Sequence, residues 1–151
     1  MYIDENYFAM EEEYLLQAWK EAEKGKTPFG AVIVKEGKVL ASVCNTVSQS
    51  KDPTAHAEVN AIRKACEVID STQLQSAVLY TTCEPCPMCM SAIIYTGIGE
   101  VVYGASIPTI SKYLPQISLR ASEVLNRSDQ KILIKAIGKE DQYEKLLEQY
   151  S

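Results

Sequence analysis

The chain has 151 residues, 46% apolar and 23% charged, with a formal net charge of -5 and five cysteines. That length suffices for one domain, residues 1–151, with a true hydrophobic core, and the composition excludes a disordered or collagen-like chain. The acidic balance argues against nonspecific nucleic-acid binding, which needs a concentrated basic surface, although a local basic groove can hide in an acidic total.

Residues 1–13 are acidic and lack the basic-then-apolar pattern of an export signal. No run of about 18 apolar residues occurs, so no membrane contact is expected and a cytoplasmic address is. Tyr7, Met10, Tyr14, Ala18 and Ala22 recur at helical spacing and predict an amphipathic helix over roughly residues 4–24, stopped by Gly25. Residues 30–35 and 39–44 read as two strands, with Glu36, Gly37 and Lys38 as the hairpin turn. Asp52, Pro53 and Thr54 form a loop, and Thr54 is the candidate N-cap of a helix striped by Val59, Ile62, Cys66 and Ile69.

Residues 77–81 form a short apolar strand, 86–96 a second helix closed by Gly97, and 101–104 another strand. Between 105 and 128 the pattern weakens; Pro108 and Pro115 break it into one helix or two short ones. Residues 132–137 read as a fifth strand, and Tyr143, Leu146, Leu147 and Tyr150 mark one face of a final helix. Helices alternating with strands predict an α/β fold: a three-layer α/β/α sandwich around a mixed five-stranded sheet.

His56-Ala57-Glu58, followed by Pro85-Cys86-Pro87-Met88-Cys89, offers three metal-ligand side chains and a carboxylate better placed to move protons. One imidazole and two thiolates leave the fourth tetrahedral position of a zinc ion open, the pattern of a catalytic site. Cys86 and Cys89 share a helix face, and both ligand groups fall at predicted helix starts, where the positive helix end favours a thiolate. Glu58, two residues after His56, is the candidate general base and acid over the open position. Spacing alone leaves three other readings open. Cys83, three residues before Cys86, would complete a closed structural zinc with His56, Cys86 and Cys89. Cys83 with Cys86, or Cys86 with Cys89, would form a redox pair. His56 would be a core histidine among cysteines acting as small apolar residues.

Residues 54–66 (TAHAEVNAIRKAC) and 79–94 (LYTTCEPCPMCMSAII) resemble the zinc-dependent cytidine and deoxycytidylate deaminase superfamily, whose signature is H-x-E…P-C-x-x-C. The likeness is greatest to the branch of guanine deaminases, transfer-RNA adenosine deaminases and fungal-type cytosine deaminase. Thr27-Pro28-Phe29-Gly30-Ala31-Val32 and Asn45 match that branch too, so the resemblance covers about residues 5–105. It implies one zinc per chain held by His56, Cys86 and Cys89, with Glu58 shuttling protons. It implies that Asn45 hydrogen-bonds the substrate ring, that the backbone at Ala57 and Glu84 holds base and leaving group, and that Phe29 walls the pocket. The substrate so implied is a small nucleobase or nucleoside. Family members pair through the helices after the metal motif, so a homodimer is expected, with Met90, Ile93 and Ile94 as candidates for interface or core. Cys44 and Cys66 are assigned to the core.

The combined motifs look most like guanine deaminases, which convert guanine to xanthine and ammonia. The transfer-RNA enzymes usually carry Arg-Asp…Lys…Gly-Ala after the fourth strand, where this chain has Ala105-Ser106-Ile107-Pro108-Thr109. Its tail sets Glu140, Asp141, Glu144 and Glu148 against Lys139 and Lys145. One departure touches guanine: no Asp or Glu lies between Glu100 and Glu123 to accept from a donor edge. A buried donor without its acceptor costs about 1–3 kcal/mol, so cytosine, a modified purine or a triazine stay as alternatives. Tyr113 and Tyr150 are candidates to close the pocket, from this chain or a partner.

Overall fold

Five strands form one sheet: β1 (Gly30–Lys35), β2 (Lys38–Cys44), β3 (Ala77–Cys83), β4 (Glu100–Ala105) and β5 (Leu133–Ala136), ordered β2-β1-β3-β4-β5. The structure is a computed structural model that describes residues 5–151, with side chains from residue 9 on. β1 runs antiparallel to β2 and β3, whereas β3, β4 and β5 are mutually parallel, so the sheet is mixed. Glu36 (φ 52°) and Gly37 (φ 76°) both take the left-handed conformation that a tight two-residue hairpin requires.

Side chains alternate between two cores with the period of a strand. Ala31, Ile33, Leu79 and Val101 enter one core, and Val32, Val34, Tyr80 and Val102 enter the other. Among the described residues seven helices supply the covering layers: α1 (Glu5–Gly25), α2 (Val47–Ser50), α3 (Ala57–Ile69), α4 (Pro87–Thr96), α5 (Ile107–Ile110), α6 (Ala121–Leu125) and α7 (Glu140–Tyr150). Ala61 of α3, Met90 of α4 and Ala121 of α6 pack in the first core. Leu15 of α1, Ile107 of α5 and Leu147 of α7 pack in the second. The result is the expected three-layer α/β/α sandwich. Gly104 lets α7 seat on β4, because a Cβ there would lie 2.2 Å from the Tyr143 ring. No helix among the described residues is long and apolar enough to cross a membrane.

Several local readings shift. The buried face of α1 is Glu11, Leu15, Ala18 and Ala22, while Met10 is 40% exposed. Glu11 is buried because it meets Lys135 of β5, at 2.6 Å, a partner that hydropathy cannot reveal. Residue 4 and the Tyr7 side chain lie outside the described residues. The tight face of α3 is Ala57, Glu58, Ala61 and Ala65, with Ile62, Cys66 and Ile69 only flanking it. Small side chains let the helix approach the sheet closely, and a search for large apolar residues overlooks them.

Thr54 does not cap α3. Its backbone N–H and hydroxyl both donate to Asp52 Oδ1, at 2.9 and 2.7 Å, and the N-cap is His56. The final strand is shorter than predicted, and residues 105–128 yield the two short helices α5 and α6.

Candidate active site

His56 caps α3 and Cys86 caps α4, and neither side chain makes a capping hydrogen bond. Both are instead turned toward one another. His56 Nδ1 lies 3.6 Å from Cys86 Sγ and 3.5 Å from Cys89 Sγ, and all three ligand atoms fall within 4.8 Å. A tetrahedral zinc with nitrogen at about 2.0–2.1 Å and sulfur at about 2.3 Å sets the nitrogen–sulfur edge at about 3.6 Å. The three side chains therefore fit zinc without rearrangement, through Nδ1 of the imidazole. Pro87 at the first turn of α4 favours the helix start that brings Cys86 and Cys89 onto one face.

Among the described residues no fourth protein ligand joins this group. Cys83, the candidate to close a structural site, turns its buried thiol to the Pro28 carbonyl at 3.9 Å. All five cysteines are free thiols. Cys66 packs at the edge of the first core as expected, and Cys44 sits half-buried against Gly25.

The hydrogen bond from Cys89 holds the Cys86 thiol down to about 4, with His56 adding to the effect. The same bond and burial push Cys89 far up, so the pair shares one proton. The hydrogen bond to Cys86 raises His56, against its own burial. One thiolate thus stands ready at a positive helix end, and a bound cation would release the second proton.

Glu58, in the first turn of α3, is 5% exposed. Burial, with the Cys86 charge adding to it, pushes its carboxyl up to about 7. A cation beside it would favour the ionised form.

A cavity of about 330 Å³ opens over these groups. His56, Glu58 and Cys86 line it, and so do Phe29 and Asn45, as the sequence led one to expect. Asn45 Oδ1 accepts the Val47 N–H at 3.0 Å. Ala57 is fully buried, so any contribution comes from its backbone; as the first residue of α3, its N–H has no partner within the helix.

Glu84 also lines the cavity. Its N–H is engaged with the Ala105 carbonyl at 2.7 Å, which leaves its own carbonyl for a ligand, and its side chain does something that the motif does not announce. The carboxylate, 4% exposed, accepts from Ile107 N–H at 2.9 Å, Ala121 N–H at 2.8 Å and Arg120 Nε at 2.9 and 3.1 Å. One buried acid thus ties both ends of segment 107–121 to the junction that carries Cys86. That segment supplies Ile110, Leu114, Pro115 and Gln116 to the cavity wall, none of which the sequence marked as a site residue. Only the acid-base complementarity of Glu84 and Arg120 could have hinted at the tie. Tyr113 and Tyr150 do not line the cavity in this chain: Tyr113 donates to Glu144 at 2.8 Å, and the Tyr150 hydroxyl accepts from Gln149.

The family model for the cytidine and deoxycytidylate deaminase zinc-binding region matches residues 4–105. Guanine deaminase of Bacillus subtilis (strain 168) is 58% identical over 78 residues, 52% of this chain and 50% of that protein. A tRNA-specific adenosine deaminase of Aquifex aeolicus (strain VF5) is 45% identical over 101 residues, 64% of this chain and 67% of that protein. This chain therefore spans half the length of the first relative and about two thirds of the second. The crystal structure of guanine deaminase from Bacillus subtilis superimposes with a TM-score of 0.59 at 35% identity, covering 85% of this chain and 98% of that one.

Proposed function

The chain belongs to the cytidine and deoxycytidylate deaminase zinc-binding family, and from that premise we propose that it is a hydrolytic deaminase of a free aminated nucleobase. Guanine, converted to xanthine and ammonia, is the first candidate. The observation that carries the reading is a buried carboxylate, Glu58, lining the same cavity as the metal ligands His56 and Cys86.

When bound by His56, Cys86 and Cys89, zinc supplies the Lewis acidity that makes water a nucleophile near neutral pH. Glu58 takes one proton of the attacking water on its carboxylate and passes it to the ring nitrogen beside the reacting carbon; it then takes the second, from the hydroxyl now on that carbon, and delivers it to the departing amine. Water adds, ammonia leaves, and the ring carbon ends as a carbonyl. Phe29 gives the ring an apolar wall, and Asn45, with its oxygen engaged by Val47, offers its amide N–H groups to a ring acceptor. A volume near 330 Å³ is at the low end of the roughly 300–1,000 Å³ range of small-molecule sites, which suits a single heterocycle.

The deciding experiment is ammonia release from guanine by the zinc-loaded protein, with Glu58→Ala as control. Release that disappears in the variant supports the mechanism; equal release by both removes Glu58 from it. A second reading, deamination of an adenosine in transfer RNA, draws on the Aquifex aeolicus likeness. It requires turnover on an anticodon stem-loop and binding that weakens steeply with salt. We also propose that the protein is a homodimer, which light scattering would read directly.

A further inference from the structure

Once each side-chain polar group on the cavity wall is matched with its partner, two amide functions are left over. His56 and Cys86 face one another as metal ligands, and Glu58 moves the proton. Both carboxylate oxygens of Glu84 are taken by Ile107, Ala121 and Arg120. The Cys83 thiol faces the Pro28 carbonyl. Asn45 has its oxygen on the Val47 N–H, which leaves its NH₂. Gln116 donates from Nε2 to the Pro115 carbonyl at 2.9 Å, which leaves Oε1. Partner chemistry dictates both amide orientations, since an N–H needs an oxygen and a carbonyl needs an N–H. The lining side chains therefore offer a bound ring one neutral donor, from Asn45, and one neutral acceptor, from Gln116.

We propose that Gln116 determines specificity: its Oε1 accepts a hydrogen bond from a ring N–H of the substrate and so selects heterocycles that keep such a group. The inference rests on the deaminase reading above and narrows its substrate class. Free guanine keeps ring N–H groups after its amino group is committed to reaction, and free cytosine and adenine keep one each. Cytidine and adenosine keep none, because the sugar occupies that nitrogen. An acceptor held at the wall thus rewards the free base and leaves these nucleosides with an unmatched oxygen. The wall is suited to this work because Glu84 fixes both ends of the segment carrying Gln116, so little ordering remains for the substrate to impose.

The test compares zinc-loaded wild type, Gln116→Leu and Gln116→Glu on guanine, cytosine, adenine, cytidine and adenosine. Gln116→Leu should lower kcat/KM for the best free base by roughly tenfold to a hundredfold, and the base-to-nucleoside ratio with it. Gln116→Glu, with a stronger acceptor, should hold or raise that ratio. In the Glu58→Gln background, where turnover is suppressed, calorimetric titration with the best base should show about tenfold weaker binding once Gln116→Leu is added. Should the leucine variant misfold, the glutamate variant carries the test, and a lowered ratio there overturns the proposal. A leucine variant with wild-type ratio and affinity also overturns it. Ammonia from none of the five heterocycles, with zinc bound, sinks the free-base reading on which this inference rests and leaves the transfer-RNA one. Turnover that needs Glu58 but ignores Gln116 sinks only this inference.

Discussion

In residues 4–105, the span matched by the family model, the reacting side chains sit at helix starts. His56 caps α3 with Glu58 in its first turn, and Cys86 caps α4 with Cys89 in its first turn. Residues 106–151 reach the same cavity by long-range ties. Glu84 holds Ile107 and Ala121, Glu140 holds Ser106 at 2.7 Å through both N–H and hydroxyl, and Glu144 holds Tyr113. Helix geometry gives the first region its arrangement, so the chemistry travels with a short motif. The second region depends on a few carboxylates reaching across more than twenty residues, so its wall residues can change without disturbing the metal. Reaction type and substrate choice are thereby lodged in separable parts of the chain.

That separation predicts unequal responses to substitution. The largest should come from Cys86→Ser, which should drop zinc content far below one per chain and abolish turnover. Far-UV circular dichroism should stay close to wild type, because neither of the two cores on either side of the sheet includes a metal ligand. Loss of the folded signal on chelation would show that the zinc is structural after all. Next is Glu58→Gln, expected to keep its zinc and to lose roughly 10²–10⁴-fold in kcat. Zinc loss in that variant would merge two roles that the geometry keeps apart.

Glu84→Ala tests the boundary between the regions. It leaves two buried N–H groups and the Arg120 guanidinium without their acceptor, at about 1–3 kcal/mol for each orphaned group. The expected outcome is a melting temperature lower by several degrees and a KM that rises more than kcat falls. Zinc content should not change, although Glu84 stands only two residues before Cys86. A variant that loses zinc but keeps its KM would contradict the division.

The legibility of the molecule in its sequence follows the same line. Strand period in Ala31 to Val34, the turn at Glu36 and Gly37, and the stop at Gly97 are local signals, and they predicted sheet, hairpin and helix end correctly. His56, Cys86 and Cys89 could be grouped from spacing because a helix start fixes each one. What escaped was set by distant partners. Glu11 is buried by Lys135, more than a hundred positions away. Thr54 is the local exception, drawn from its capping role by Asp52 two residues before it. The role of Glu84 depends on backbone N–H groups, which carry no residue identity, and Gln116 reaches the wall only because Glu84 ties its segment down.

The smallest expected effect concerns Glu140, which ties the start of the distal segment to α7. Burial alone would raise its carboxyl, but hydrogen bonds from Thr109 and Ser106 outweigh that and hold it below its ordinary 4.5. A carboxyl lowered by folding contributes stability that is fully present above its unfolded value and lost as pH falls through the folded one. Glu140 is partly solvated, so screening keeps the contribution modest. Wild type should therefore melt slightly higher than Glu140→Gln at neutral pH, with the gap closing as pH falls below the ordinary carboxyl value of 4.5. Glu58 titrates differently, its carboxyl being raised rather than lowered by burial, and it is present in both proteins, so its own pH dependence cancels in the gap. A gap that closes on the acid side thus reports the Glu140 tie and not the reacting carboxylate. A gap independent of pH would mean that the glutamine amide holds Ser106 as well as the carboxylate does, and that charge has no part in anchoring the wall.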